Sequence, residues 1–457
     1  GGRAFFALMS GMELSFAGST LYEQRRGGNE LKKEPFDPAV NIAEGVTVNR
    51  DTGEVRLDQE VSSHFNYTLF YGYAGTKRHS YYGPAGNDVL SEDVNLYGRT
   101  ENPYHVGGLV MNIIPVKGHT LTLGVEHFDD RLKDHNPGMN RELNAHYKNT
   151  GLYGQYDWDT AYLDLLLGVR ADRHNELNEW NYSPRISGII KFNPHLRWRN
   201  TVATGFKAPQ VFDEDFHIEV SLSGSGTTNH LIVNDPNLKP ERSVSYSTDV
   251  NADFKAGDFG FDMLLGGFYT AVSDAMAVDW SNPVDDGTNT YYTRKNESGK
   301  TLFYGGNAEL GLSYPRVFRF SSGWTLQRAY YDRDKEYDNG RFNQVPKVPR
   351  VYGFSLLQLF FGPFQLAFSC QYMGHQYALY EGDSTELRKT GTFTVYNTRA
   401  EYKLAADDGR FVAIYAGVDN INDQYQKDLP LGQDRPAGYV YGPAKPLTIY
   451  GGARMGF

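Results

Sequence analysis

Apolar and polar residues alternate with a period of two in segment after segment of this chain. Val244, Tyr246, Thr248, Val250, Ala252 and Phe254 oppose Ser243, Ser245, Ser247, Asp249, Asn251 and Asp253. Leu163, Leu165, Leu167, Val169 and Ala171 oppose Asp164, Leu166, Gly168, Arg170 and Asp172, and Tyr396 to Leu404 repeats the pattern against Asn397, Arg399, Glu401 and Lys403. At the end of the chain Leu447, Ile449, Ala453, Met455 and Phe457 share one parity, with Thr448, Tyr450, Gly452, Arg454 and Gly456 on the other. Successive side chains of a strand point to opposite faces, so each segment predicts a strand with one apolar and one polar face. The polar sets are too dense for a soluble sandwich and must face water or a plug. The pattern predicts an all-β fold, a transmembrane antiparallel β-barrel with lipid outside and a wet lumen.

Connections alternate between short and long. Tight turns are expected at Lys117-Gly118-His119, Asp159-Thr160, Asn193-Pro194-His195, Ala256-Gly257-Asp258, Tyr314-Pro315-Arg316, Gly362-Pro363 and Ala406 to Gly409. Long polar stretches run roughly from Gly27 to Glu44, His79 to Pro103, Lys207 to Glu241, Asp274 to Lys300, Asp332 to Gln344 and Asp419 to Ala444. Short turns at one end and long loops at the other suit an outer-membrane barrel, with periplasmic turns and extracellular loops. About 18 or 19 strands of the 9–11 residues a tilted span needs can be counted, beginning with a partial one near Arg3 to Leu8. Single-chain bacterial barrels have even strand numbers, so the expectation is about 22 with the first few missing. No linker divides the chain, and residues 1–457 read as one barrel portion.

Composition sharpens this picture. Aromatics reach 14% although hydrophobic residues are only 40%, which fits aromatic girdles around a polar lumen. No run approaches the roughly 18 apolar residues of a membrane helix. A net charge of −10 argues against a general nucleic-acid binder. The single cysteine, Cys370, shares parity with Phe368 and Tyr372 and reads as a small hydrophobe. The chain opens Gly-Gly-Arg without Met, basic n-region or apolar signal core, so either its start was processed away or it is a piece of something longer. Asp51 to Glu54 and Asp407-Asp408 lack the ligand spacing of a calcium loop and read as turns. No nucleophile elbow, phosphate loop or HExxH motif occurs, which leaves an enzyme a distant reading; no cofactor is expected.

The C-terminal run Val418-Asp419-Asn420-Ile421-Asn422-Asp423, followed by Tyr439 to Phe457 with Gly442-Pro443, resembles the end of TonB-dependent outer-membrane receptors. Gly205-Phe206-Lys207-Ala208-Pro209 is similar to the family's Gly-Phe-Arg/Lys-Ala-Pro box, and Asp235 to Ser243 (DPNLKPERS) to its Asn-Pro-Asn/Asp-Leu-x-Pro-Glu-x-Ser box. Asp213 to His217, Arg25 to Asn29 and Ser80-Tyr81-Tyr82-Gly83 resemble the branch common in Bacteroidetes. The resemblance implies active import of a scarce, bulky nutrient energised through TonB, with a metal chelate such as cobalamin or a siderophore as the first expectation. A haem receptor of the same family and a passive, plugless porin of about 18 strands are the alternatives. It also implies an N-terminal plug and TonB box, which do not occur in this sequence, so that this portion starts near the fourth strand. TonB, the chelate, outer-membrane lipid and lipopolysaccharide, and a surface lipoprotein are the implied partners.

Candidate ligand-binding residues follow from chemistry at the expected mouth. His217 and His230 lie between the two boxes, where the resemblance implies a haem ligand, with His217 the better placed; the alternative for both is an ordinary loop histidine. Tyr81 and Tyr82 beside Arg78, and Arg25 elsewhere, offer stacking and charge for a planar or anionic chelate. The same groups read as girdle aromatics with basic residues meeting lipopolysaccharide phosphates. His375 shares parity with Gln371 and Met373 and reads as a structural lumen residue.

Overall fold

The computed structural model describes residues 1–28, 30–33, 42–84, 97–137, 141–211, 221–223, 226–287, 289–381, 384–407, 410–429 and 439–456. The first ten strands are β1 (Gly2–Met9), β2 (Met12–Gly28), β3 (Ile42–Ser62), β4 (Phe65–Pro84), β5 (Tyr97–Ile113), β6 (His119–Asn136), β7 (Arg141–Asp159), β8 (Leu163–His174), β9 (Asn181–Asn193) and β10 (Leu196–Lys207). Two short strands, β11 (Ser221–Ser223) and β12 (Gly226–Asn234), precede β13 (Glu241–Ala256) and β14 (Phe259–Ser273). The hairpin β15 (Met276–Asp285) and β16 (Asn289–Asn296) precedes β17 (Lys300–Tyr314), β18 (Phe318–Tyr337) and β19 (Gly340–Gln344). The remainder are β20 (Val351–Phe361), β21 (Phe364–Met373), β22 (Tyr377–Glu381), β23 (Thr385–Lys389), β24 (Phe393–Asp407), β25 (Arg410–Asp419) and β26 (Thr448–Gly456).

Twenty of these strands form one sheet, and each wall strand pairs antiparallel with the next wall strand in sequence. The pairing skips β11, β12, β15, β16, β22 and β23, while β19 folds back on β18. Open sheets rarely pass about ten strands without curling, so a sheet this large is a barrel wall. Where a strand crosses hydrocarbon, ladder pairing is what satisfies its backbone N–H and C=O groups.

The two faces are chemically distinct. One row of paired residues reads Leu69, Leu109, Val125, Leu152 and Ala171 across five strands. Another on the same alternation reads Phe65, Ile113, Leu121, Tyr156 and Leu167. Leu69 is 51% exposed and Leu152 48%, a state tenable for a contiguous apolar band only against lipid. The opposite alternation of the same strands buries Thr100, Asp134, Arg141, Asn149 and Asp172. Gly124 shows how tightly the lumen face packs, since a Cβ there would sit 2.1 Å from Cζ of Tyr153, its partner across the ladder.

Short turns join strands at one end, as the sequence suggests, at Gly118, Gly257 and Gly362, each with a positive φ that glycine adopts without strain. Residues 408 and 409 of the Ala406 to Gly409 turn lie outside the described residues. Two expectations are corrected. Asp51 to Glu54 is no turn but mid-strand in β3, held on one side by Thr52↔Ser19 and Glu54↔Ala17 pairing and on the other by Asp51↔Gly75 and Thr52↔Ala74. Ladder bonds to two neighbours override the weak strand propensity of Asp-Thr-Gly. The wall strands also outrun the expected length: β3 has 21 residues and β4 has 20, so much of the polar stretch from His79 to Pro103 is strand. Above the lipid a strand can continue with polar side chains on both faces, which erases the alternation signal.

The long connections build structure of their own. β12 pairs parallel with β16 and antiparallel with β11, and β16 pairs antiparallel with β15, giving a four-stranded sheet from two separate loops. The face assignment is testable. Leu152→Arg should lower the stability of the full-length protein in lipid vesicles by about 2–4 kcal/mol, whereas Gln155→Arg on the lumen alternation should leave it near wild type. Denaturant titration followed by tryptophan fluorescence reads both, and the reverse ranking would invert the faces.

Candidate functional site

The lumen face of β2 to β7 gathers polar side chains at the end where the long loops lie. The ladder aligns Glu23, Val48, Arg78, Thr100 and Asp134 in one row, while Arg25, Val46, Ser80 and Gly98 form the next. Asn136 pairs with Arg141 at the start of β7. Thr100 Oγ1 donates to Asp134 Oδ1 at 2.6 Å, and Arg141 Nε donates to Asp134 Oδ2 at 2.6 Å. The Asp134 side chain is fully buried and that of Arg141 is 7% exposed, so the pair is a charge-assisted contact in a dry setting. Gly98 lets this wall close, because a Cβ there would lie 2.7 Å from Ser80 Oγ and 3.1 Å from Asn136 Nδ2. The Ser80 hydroxyl is buried with no hydrogen-bond partner among the described residues.

A second polar group continues along the same face. Arg170 reaches Asp172 at 2.9 Å and Glu126 at 3.0 Å, and Asn149 donates to Asp172 at 2.7 Å. His174 is buried between Phe128 and Tyr147, each 6.1 Å away, and its Nδ1 accepts the Glu176 N–H at 3.2 Å.

The family-like boxes fix the loops to this wall. After Gly205 to Pro209 the chain brings the Val211 N–H to the Tyr147 hydroxyl at 2.8 Å. Arg294 of β16 is 2% exposed and donates to Asn234 Oδ1 at 3.2 Å. Around Asp235 to Ser243, Asn296 accepts the Lys239 N–H at 2.8 Å and donates to the Lys239 and Asp274 carbonyls at 2.9 and 2.7 Å. In the last box Asn420 adopts φ 52° and is 3% exposed. Its amide donates to the Gln424 and Lys445 carbonyls at 2.9 and 2.8 Å, and Asp423 accepts the Leu447 N–H at 3.0 Å. Those bonds draw the two ends of the β25–β26 connection together.

The same connection carries an aromatic clasp. Asp428 accepts the Tyr439 hydroxyl at 2.8 Å and the Tyr441 hydroxyl at 2.5 Å. Tyr439 packs against Tyr380 of β22 with ring centroids 5.2 Å apart, and the Arg388 guanidinium lies 3.5 Å over the Tyr380 ring. Desolvation pushes the Asp428 carboxyl up, but the Tyr441 and Tyr439 hydroxyls more than reverse it and hold it below the ordinary carboxylate range. Beside the clasp, Phe393, Asn420, Tyr441 and Lys445 help line a cleft of about 510 Å³.

The candidate residues do not form one group. Arg25 and Arg78 share the lumen alternation, and Arg25 pairs with Glu23 at 2.7 Å. Tyr81 lies on the opposite alternation from Arg78, 3% exposed and 5.0 Å from the Tyr97 ring. Tyr82 pairs through its backbone with Glu44. The backbone of His230 lies in β12 opposite Thr290; its side chain and all of His217 fall outside the described residues. His375 is in the β21–β22 connection, where it helps line a cleft of about 230 Å³ with Arg350 and Tyr377. Sequence reasoning missed Asp134, Asn136 and Arg141, because Leu132 to Arg141 carries polar residues on both alternations and shows no contrast to read.

The sequence matches the TonB dependent receptor-like β-barrel family over residues 15–421, and the chain belongs to that family. Over 229 residues it is 26% identical to the iron-regulated outer membrane virulence protein of Vibrio cholerae, covering 48% of this chain and 33% of that protein. It is 24% identical over 200 residues to the probable TonB-dependent siderophore receptor PirA of Acinetobacter baumannii, covering 41% of this chain and 26% of that protein. The alignments thus span about a third or less of the curated relatives' length. Among solved structures, a variant of the ferric enterobactin receptor PfeA of Pseudomonas aeruginosa superposes with TM-score 0.73 at 15% identity, over 99% of this chain and 68% of that one. The outer membrane transporter YddB of Escherichia coli gives 0.74 at 11%, over 100% and 68%. At those identities the likeness is one of fold; membership of the family and the relatives named above make the sheet an outer-membrane barrel of a Gram-negative bacterium.

Two outcomes follow from the loop anchors. Asn420→Ala removes both donations and a left-handed residue that asparagine tolerates, so amide exchange at Gln424 and Leu447 should accelerate by about tenfold or more. The depressed Asp428 carboxyl favours the closed clasp above its free value of about 3.9, and that contribution fades as pH falls through the lower folded value. Exchange at the Tyr441 amide should therefore be slow at neutral pH and faster in acid beyond its intrinsic pH dependence, a difference that Asp428→Ala abolishes.

Proposed function

We propose that this chain forms the barrel of a receptor that binds a bulky ferric chelate of the siderophore class at the cell surface and imports it with energy delivered through TonB. The observation that carries the reading is the family match over residues 15–421, and on the lumen face the ladder sets exposed Arg25 and half-buried Arg78 in adjacent rows beside the buried Arg141–Asp134 pair. Ferric chelates built on catecholate, hydroxamate or carboxylate oxygens present an oxygen-rich, often anionic surface. Guanidinium groups, hydroxyls and amides are donors suited to such a surface, and a barrel lumen is wide enough to admit it. The names of the curated relatives, one iron-regulated and one a probable siderophore receptor, support iron rather than cobalamin.

The wall is not uniformly basic. Glu23 and Asp134 accompany the three arginines, which favours a ligand recognised by directed hydrogen bonds over one held by bulk charge. His174 does not favour haem, since its Nδ1 is engaged and its ring packed.

In the full-length receptor, Arg25→Gln and Arg78→Gln should each weaken binding of the cognate ferric chelate about ten- to a hundredfold, the scale of a lost charged hydrogen bond. Fluorescence quenching against a panel of ferric siderophores, haem and cobalamin would identify that ligand. Tight binding of haem or cobalamin with no response to any ferric siderophore would overturn the assignment.

A further inference from the structure

Three consecutive long connections, β18–β20, β21–β24 and β25–β26, meet on one small hairpin. β22 and β23 pair with each other over five residues and form a two-stranded sheet apart from the wall. A two-stranded hairpin is marginal in water by itself, so this one persists because its neighbours cover it. Residues directly opposite in its ladder share a face, which sets Tyr377, Leu379 and Leu387 on one side and Ala378, Tyr380 and Arg388 on the other. The two sides meet different loops. Tyr377 lies 6.2 Å from the Phe342 ring of β19, whereas Tyr380 lies 5.2 Å from Tyr439 of the β25–β26 connection.

Paired hydrogen bonds fix the hairpin to the β18–β19 turn. The Asn339 amide donates to the Leu387 carbonyl at 3.0 Å, and its oxygen accepts the Leu387 N–H at 3.1 Å. Asp338 treats Thr385 likewise, donating its N–H to the carbonyl at 3.0 Å and accepting the Thr385 N–H on its carboxylate at 2.6 Å. On the other side the Arg388 guanidinium lies 3.5 Å over the Tyr380 ring and 5.9 Å from that of Tyr439, which is 3% exposed and donates to Asp428. Between the two contacts Ala378 is fully buried and Leu387 is 2% exposed. The β12–β16 sheet stands in a looser relation to this assembly. The turn after β16 reaches β18 through the part-exposed Glu297–Lys335 pair at 2.7 Å and the Arg333–Ser298 bond at 2.9 Å, each a weak contact.

We propose that the β22–β23 hairpin is a keystone that makes these three connections a single lid, opening and closing as one body on its side of the entrance. Losing either neighbour uncovers one face of a hairpin that cannot stand alone, so release of one contact releases the other. Three unlinked loops would instead fray one at a time, each with its own opening free energy. The β12–β16 sheet, joined to the lid by weak contacts, opens separately. The lid acts on the entrance itself, whatever ligand passes it.

Amide hydrogen exchange of the full-length receptor in lipid vesicles tests the linkage, because the Tyr441 N–H donates to Gln426 Oε1 at 3.0 Å within the β25–β26 connection, two loops away from Asn339. Asn339→Ala should accelerate exchange about tenfold at Leu387 and by the same factor at Tyr441, while amides of β12 and β16 keep their wild-type rates. The linkage is reciprocal, so Tyr439→Ala should accelerate Thr385 and Leu387, whose bonds to the β18–β19 turn it does not touch. If Asn339→Ala fails to assemble, Arg388→Gln leaves every backbone anchor in place and should accelerate Leu387 and Tyr441 equally. Faster exchange at Leu387 with an unchanged Tyr441 rate would mean that the loops open independently, and the proposal would fall. Equal acceleration throughout β12 and β16 would overturn it too, by making the whole entrance one unit.

Discussion

Hydrocarbon offers no hydrogen bonds, and that single fact organises this molecule. Every backbone group that crosses the membrane must find its partner on an adjacent strand. The continuous ladder from β1 to β26 is the response, and the two-residue alternation follows because strand pairing leaves side chains only two directions to point. With the faces fixed, chemistry sorts itself: leucine, valine and tyrosine outward, and the Asp134 and Asp172 networks inward. The lumen polar groups then stabilise by pairing with one another, as burial without a partner would be costly.

The same constraint decides which parts of the fold are legible in the amino-acid sequence. Segments that cross the lipid, such as Val244 to Phe254, have one solvent on each face, and their alternation is unambiguous. Where both faces meet water, the contrast vanishes. Asp51 to Glu54 reads as a turn for this reason, and the outer ends of β4 and β5 read as loop. The Asp134–Arg141 pair is hidden in such a stretch. The pairing of β12 with β16 is invisible for another reason: it joins residues about 60 positions apart through backbone bonds, which leave no mark on the side-chain pattern.

The boxes that carry the family resemblance have local physical roles among the described residues. Asn420 and Asp423 close the β25–β26 connection, and Glu241 accepts the Met276 N–H at 2.8 Å where the Asp235 to Ser243 box meets β15. Each is a short polar side chain, or one just long enough, doing what backbone alone could not at the rim of the sheet. Such residues are legible as motifs without their purpose being legible. The candidate binding residues fare differently, since Arg78 and Tyr81 are close in sequence yet belong to opposite sides of the wall. Odd spacing along a strand separates groups as surely as distance does.

The parallel pairing of β12 with β16 has a kinetic corollary. Two strands can run parallel only when the chain between them turns back fully, and here that chain is the β13–β14 hairpin followed by β15. The small sheet over the mouth cannot assemble until that hairpin has inserted and spanned the wall. Its contacts are non-local, so loop-closure entropy must be met before any reward is collected. The mouth is therefore a late product of folding, and a chain stalled midway through insertion would show the cell surface an unfinished entrance before it showed a defective wall.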